Sequence, residues 1–239
     1  MRALLFDLDG TLIDSAEDIA ISAQRGFEEV GVVGVSREEV RAHLGLSLAD
    51  LYRALCPDGD AARRERFIQA YRRHYAEHGT EHTSVYPGVE ETLRALSHLR
   101  LGVATTKLTA VAEQVLAKMG LREHFQHVQG TDGFPPKPHP EVVRRALAAL
   151  GSPAESAALV GDTDRDVLAA RAAGVRAAAV TYGGWSRQRL AALAPDVLLD
   201  RFSDLVYWVG SNEGVPGVGG LGAGRGAGGG GAGFSTLMR

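Results

Sequence analysis

The sequence predicts a doubly wound parallel α/β sheet protein carrying an inserted all-helical segment, and three observations predict it. Beyond residue 88, short apolar runs alternate with amphipathic stretches that end in glycine, the βαβα rhythm of a parallel sheet covered on both faces. A lone apolar run near the N-terminus, Ala3-Leu4-Leu5-Phe6, is bounded by a turn signal and reads as a buried strand. Between Ser15 and Thr83 no strand pattern occurs, while apolar residues recur at helical spacing.

The first strand runs into Asp7-Leu8-Asp9-Gly10-Thr11-Leu12. Side chains at i and i+2 of an extended chain point the same way, so Asp7 and Asp9 face one site. Gly10 then permits a sharp turn. Two carboxylates about 4 Å apart repel by roughly 4 kcal/mol at an effective dielectric of about 20, so such a pair calls for a cation, a shared proton or an anion-stabilising task. An aspartate after a strand is, alone, more often a turn or cap residue. A calcium loop fails on spacing: counted from Asp7, the sixth and twelfth positions need Gly and Glu but hold Leu12 and Asp18.

Ser15 with Asp18 resembles a capping box, and Ile19, Ala23, Phe27 and Val30 continue at helical spacing. Ser36 with Glu39 opens a second helix and Ser47 with Asp50 a third, separated by His43-Leu44-Gly45-Leu46. Phe67, Tyr71 and Tyr75 stripe a long helix that stops near Gly79. Arg63, Arg64, Arg66, Arg72 and Arg73 on it read as a solvated helix face. Helices are then expected over 89–99, 110–119, 141–150, 164–173 and 187–193, with strands over 101–105, 125–129, 157–160, 175–180 and 197–199. The expected organisation is a core of residues 1–14 and 84–209, a helical cap of 15–83, and a glycine-rich tail of 210–239 too poor in apolar surface to fold. Two linkers, near Asp14-Ser15 and 83–86, would let the cap hinge over a site.

Composition narrows the function classes. The chain has 239 residues, 45% hydrophobic and 23% charged, with a net charge of -3, so no broad positive field draws nucleic acid or anionic membrane. Its single cysteine, Cys56, excludes an internal disulfide and a cysteine metal cage. Asp7 and Asp9 interrupt the only early apolar run, so no signal peptide is expected, and no apolar run approaches the ~20 residues that span a bilayer. A cytoplasmic protein acting on a small metabolite is expected, as monomer or homodimer.

Parallel sheets place their sites at the carboxyl ends of the strands, and there the chemistry recurs. The strand at 101–105 ends in Thr105-Thr106-Lys107, a hydroxyl and free N–H groups able to hold a phosphoryl oxygen. Pro135-Pro136-Lys137-Pro138-His139-Pro140 presents Lys137 from a stiff loop, as a point charge suited to phosphate. Gly161-Asp162-Thr163-Asp164-Arg165-Asp166 follows the strand at 157–160, with Asp162 placed as a metal ligand and Asp164 as an N-cap. Carboxylates without His or Cys partners suit Mg²⁺ rather than Zn²⁺.

As a set, Asp7-Leu8-Asp9-Gly10-Thr11-Leu12, Thr105, Lys137 and the 161–166 segment resemble the four motifs of the haloacid dehalogenase superfamily, and the insert resembles its C1 cap. The resemblance covers residues 3–205 and implies a Rossmann-like core. Phe6-Asp7-Leu8-Asp9-Gly10-Thr11-Leu12-Ile13-Asp14-Ser15 and Tyr86-Pro87-Gly88-Val89 are most similar to the phosphoglycolate phosphatase group. It implies that Asp7 attacks phosphorus and that Asp9 protonates the leaving group and then activates water. It implies that Thr105, Thr106 and Lys137 bind the phosphoryl oxygens. Mg²⁺ would be held by Asp7, the Asp9 carbonyl and Asp162, with Asp166 supporting its waters or orienting Lys137. His43 would face substrate from the cap, or serve only as a helix-end residue. A Mg²⁺-dependent phosphatase is expected, with phosphoglycolate the leading substrate. A β-phosphoglucomutase-like mutase, a pyrophosphatase and a non-catalytic binding protein are the alternatives.

Overall fold

The computed structural model describes residues 1–213. Six parallel strands form one sheet in the order β5-β4-β1-β6-β7-β8: β1 is Ala3–Phe6, β4 Arg100–Ala104, β5 His127–Gln129, β6 Ala157–Gly161, β7 Arg176–Val180 and β8 Val197–Leu199. Every residue of β1 is buried, because β4 and β6 flank it and helices cover both faces. Its side chains alternate between two apolar layers. Leu4 and Phe6 join the layer that holds Leu93, Val115 and Leu205, from α5 (Val89–Ala95), α6 (Thr109–Lys118) and α10 (Asp204–Glu213). Ala3 and Leu5 join the layer that holds Val142, Val167 and Leu190, from α7 (Glu141–Leu150), α8 (Asp164–Ala173) and α9 (Arg187–Ala192). The chain leaves β1 toward both edges, so the crevice at its carboxyl end is the topological switch point where such sheets bind ligands.

A two-stranded ribbon leads into and out of the insert. In it β2 (Ile13–Asp14) pairs antiparallel with β3 (Ser84–Val85). Between them lie α1 (Ala16–Glu29), α2 (Arg37–Arg41), α3 (Leu48–Leu55) and α4 (Ala61–His78). Phe27, Tyr52 and Phe67 knit this unit together, with ring centroids 4.3 Å apart for Phe27–Phe67 and 5.4 Å for Tyr52–Phe67. Burying each such ring contributes about 2–3 kcal/mol. Gly26 lets α4 approach, since a Cβ there would sit 3.1 Å from the Phe67 ring.

Three local expectations need correction. The Ser15–Asp18 box does not form: Ser15 donates to Asp9, while Asp18 accepts from the His82 N–H and the Thr83 hydroxyl, tying α1 to the return linker. The N-cap of α8 is Thr163, not Asp164. A helix, α10, occupies 204–213, so the boundary set at Gly210 falls inside regular structure, because Leu205 and Val209 bury an apolar stripe. Residues 214–239 of the expected tail lie outside the described residues. Among the described residues no helix is long and apolar enough to cross a membrane.

Candidate active site

Asp7 stands directly after β1, its N–H bonded to Val160 O at 2.9 Å, so the sheet itself fixes the residue. Gly10 adopts φ 77°, a conformation L residues rarely take, and a Cβ there would collide with the Asp162 carboxylate. The tight turn brings Thr11 round to donate to Asp162 Oδ1 at 3.2 Å. Asp162 follows β6, the strand beside β1, and its Oδ2 accepts the Gly184 N–H at 2.6 Å.

Lys137 is 1% exposed and its ammonium is shared three ways. Nζ lies 2.8 Å from Asp7 Oδ1, 2.6 Å from Asp166 Oδ1 and 3.1 Å from Ala104 O. Arg165 braces the loop by donating to Lys137 O at 2.9 Å. Asp166 Oδ2 accepts from the N–H and hydroxyl of Thr163, at 3.1 and 2.7 Å. Both Asp166 oxygens are therefore engaged. Of the two roles expected for it, orienting Lys137 is the one its contacts display.

Asp9 is held from two sides: Ser15 donates to Oδ1 at 2.5 Å and Lys107 Nζ lies 3.0 Å from Oδ2. Thr105 is fully buried at the end of β4, and its Oγ1 accepts the Lys107 N–H at 3.3 Å, which leaves the hydroxyl proton available. Thr106 borders a cavity of about 650 Å³ that also reaches Asp7, Asp9 and Asp162 and extends up between the helices of the insert. His43 lines the same cavity, with Nδ1 2.8 Å from Glu39 O, a helix-end contact. Arg72 is exposed, as expected of a solvated face, and also borders the cavity, whereas its neighbour Arg73 pairs with Glu29 at 2.5 Å.

Burial pushes Asp7 up to about 6 against the opposing pull of Lys137, with Asp166 and Asp9 adding to the rise. Burial likewise raises Asp162 well above the usual carboxylate range, helped by Asp166 and Asp7. Burial works against charge on Lys137, but Asp166 and Asp7 outweigh it and hold its pKa above that of a free lysine. Carboxylate oxygens of Asp7, Asp162 and Asp166 fall within 4.8 Å of one another. Oxygen donors alone, buried and mutually repelling, fit a hard divalent cation. The residues that could hold such a cation are Asp7, Asp162 and Asp166, of which Asp7 and Asp166 also pair with Lys137.

Sequence reasoning passed over Lys107, Ser15 and Gly183-Gly184 as parts of this site. The diglycine follows β7, where glycine pairs mark a close backbone approach, and that was the available signal. Lys107 becomes visible only once β4 is placed beside β1.

Acids and a buried lysine gathered at the switch point of a parallel sheet make this the candidate active site of an α/β protein. Residues 4–180 match the family model described as haloacid dehalogenase-like hydrolase. The chain is 36% identical over 209 residues to the phosphoglycolate phosphatase of Aquifex aeolicus, covering 86% of this chain and 95% of that protein. It is 35% identical over 215 residues to pyrophosphatase PpaX of Bacillus pumilus, covering 89% and 98%. The solved haloacid dehalogenase-like hydrolase from Streptococcus pneumoniae superposes with a TM-score of 0.80 at 27% identity, covering 87% of this chain and 98% of that one. The chain belongs to the haloacid dehalogenase-like hydrolase family, as an enzyme of the phosphatase kind.

Proposed function

We propose that this enzyme is a Mg²⁺-dependent phosphatase that hydrolyses a small phosphomonoester, 2-phosphoglycolate first among them, through an aspartyl-phosphate on Asp7. The observation that carries the reading is the placement of Asp7 within 2.8 Å of a buried lysine and two residues before a second, separately held aspartate. Binding alone requires no such nucleophile beside an acid.

In this reading Asp7 attacks phosphorus, the P–O ester bond breaks, and the leaving oxygen takes a proton from the Asp9 carboxyl. Water then attacks the acyl phosphate, gives its proton to Asp9, and leaves Asp7 and inorganic phosphate. Lys137 neutralises phosphoryl charge, while Thr105 and Thr106 supply donors from the end of β4. Mg²⁺, held by Asp7, the Asp9 carbonyl and Asp162, would screen the phosphoryl oxygens from the carboxylates. Residues 15–83 act as a cap whose closure over core residues 1–14 and 84–209 excludes water. The enzyme works in the cytoplasm on a small phosphorylated metabolite, as monomer or homodimer.

Pyrophosphate is the second substrate reading, favoured by the similarity to pyrophosphatase PpaX. Phosphate release from a panel containing both compounds, with and without Mg²⁺, tests the proposal. Wild type should turn over at least one of them only with Mg²⁺, and Asp7→Asn should lose roughly 10⁴-fold in kcat. Full activity in Asp7→Asn refutes the mechanism.

A further inference from the structure

The site contains a cation that phosphoryl transfer as described does not use. Lys107 Nζ lies 3.0 Å from Asp9 Oδ2 and 4.4 Å from the centroid of the Tyr75 ring. Tyr75 stacks on Tyr71 at 5.5 Å, and both rings are buried side chains of α4, in the insert. The other oxygen of Asp9 is taken by Ser15, just ahead of α1. The carboxyl expected to move the proton is thus gripped at both oxygens, and an aromatic wall from another part of the chain backs one grip.

We propose that Lys107 is a positioning residue for proton transfer by Asp9, and that Tyr75 completes the device, so that Asp9 is set in place only when α4 is seated over the sheet. The inference rests on the reading of Asp9 as the acid–base group. Without the ammonium, Oδ2 loses its partner and the carboxyl is free to turn about its Cα–Cβ and Cβ–Cγ bonds. A ring face attracts the cation without offering a carboxylate or carbonyl to compete with Asp9, so it confines Lys107.

The chemistry of the leaving group separates this role from a merely structural one. An alkoxide leaving group needs the proton; p-nitrophenolate does not. The quantity to measure is kcat/KM, which covers steps through release of the leaving group, for 2-phosphoglycolate or another alkyl phosphate that wild type hydrolyses and for p-nitrophenyl phosphate, at saturating Mg²⁺. Lys107→Met should lose about 10²-fold on the alkyl substrate and under about threefold on the aryl one. Lys107→Arg should recover part of the alkyl rate. Tyr75→Leu should reproduce the selective loss, whereas Tyr75→Phe, which keeps the ring, should not. If Lys107→Met does not fold by circular dichroism, Tyr75→Leu decides the matter. Equal losses on both substrates, or none on either, overturn the positioning role and leave the phosphatase reading intact. A wild type that hydrolyses neither substrate overturns both.

Discussion

Replacing Gly183 by alanine tests whether the loop after β7 supports the proposed metal site. A Cβ at 183 would collide with the Gly10 carbonyl oxygen and stand 2.5 Å from Asp162 Cβ and 2.6 Å from its Oδ2, where ordinary contact begins at 3.4 Å. Neither neighbour can swing aside. Gly10 belongs to the turn that carries Asp9, and Asp162 is clamped by Thr11 and Gly184. Relief therefore requires the loop, the turn or the carboxylate to move by about 1 Å, a displacement that costs on the order of 10²-fold in rate when it misplaces reacting groups. Moving a metal-binding carboxylate or its hydrogen-bond partner weakens affinity by roughly 10–100-fold. Overpacking adds about 1–3 kcal/mol of destabilisation. Calorimetric titration with Mg²⁺, kcat at saturating Mg²⁺ and urea unfolding read the three effects separately. A Gly183→Ala protein with wild-type Mg²⁺ affinity and wild-type kcat would refute the reasoning, whatever its stability.

The remaining predictions concern the hinge and the charge balance. Burial alone would raise the Asp18 pKa, but hydrogen bonds from Thr83 and His82 hold it below the usual carboxylate range. Its contribution to stability is therefore full above the unfolded value of about 4 and lost as pH falls through the lower folded value. Asp18→Ala should cost about 2 kcal/mol near neutral pH by urea unfolding, because it strips the partner from the His82 N–H and the Thr83 hydroxyl. A cost that persists unchanged at pH values well below the carboxylate range would contradict the assignment. Asp7, pushed up to about 6, makes protons compete with the metal. Mg²⁺ affinity should thus fall by up to about tenfold per pH unit below about 6, and the binding heat should vary with the ionisation enthalpy of the buffer. Affinity independent of pH between about 5 and 8 would exclude Asp7 as the titrating ligand.

The parts of this molecule that the sequence disclosed share one property: their signal is local. Ala3 to Phe6 is a short apolar run, α7 and α8 carry unbroken helical patterns, and Asp7, Lys137 and Asp162 each sit at a strand end or in a proline-stiffened loop. What escaped depends on partners distant in the chain. Ser15 looked like a helix cap because Asp18 lies three residues on, yet its hydroxyl is drawn to Asp9, while Asp18 finds a better set of donors 64 residues away at His82. Helix α10 was hidden by the glycines that follow it, although Leu205 and Val209 bury it against the sheet. That Arg72, exposed like Arg73, also borders the cavity follows from the packing of α4 and carries no signal in the arginine run itself.

The charge inventory of the site explains why so costly an arrangement persists. Four carboxylates, Asp7, Asp9, Asp162 and Asp166, meet two ammonium groups, Lys107 and Lys137, which leaves two negative charges without a counter-charge. Burial displaces Asp7 and Asp162 upward, and their acidic neighbours add to the rise. A bound divalent cation would neutralise the two uncompensated charges and favour the ionised form of Asp7. The lysines are not interchangeable in this balance. Lys137 is bound to Asp7 and Asp166, whereas Lys107 is bound to Asp9 and to a ring of the insert. In the proposed mechanism the first cation would serve the step at phosphorus from within the sheet. The second would serve proton transfer, with the help of α4.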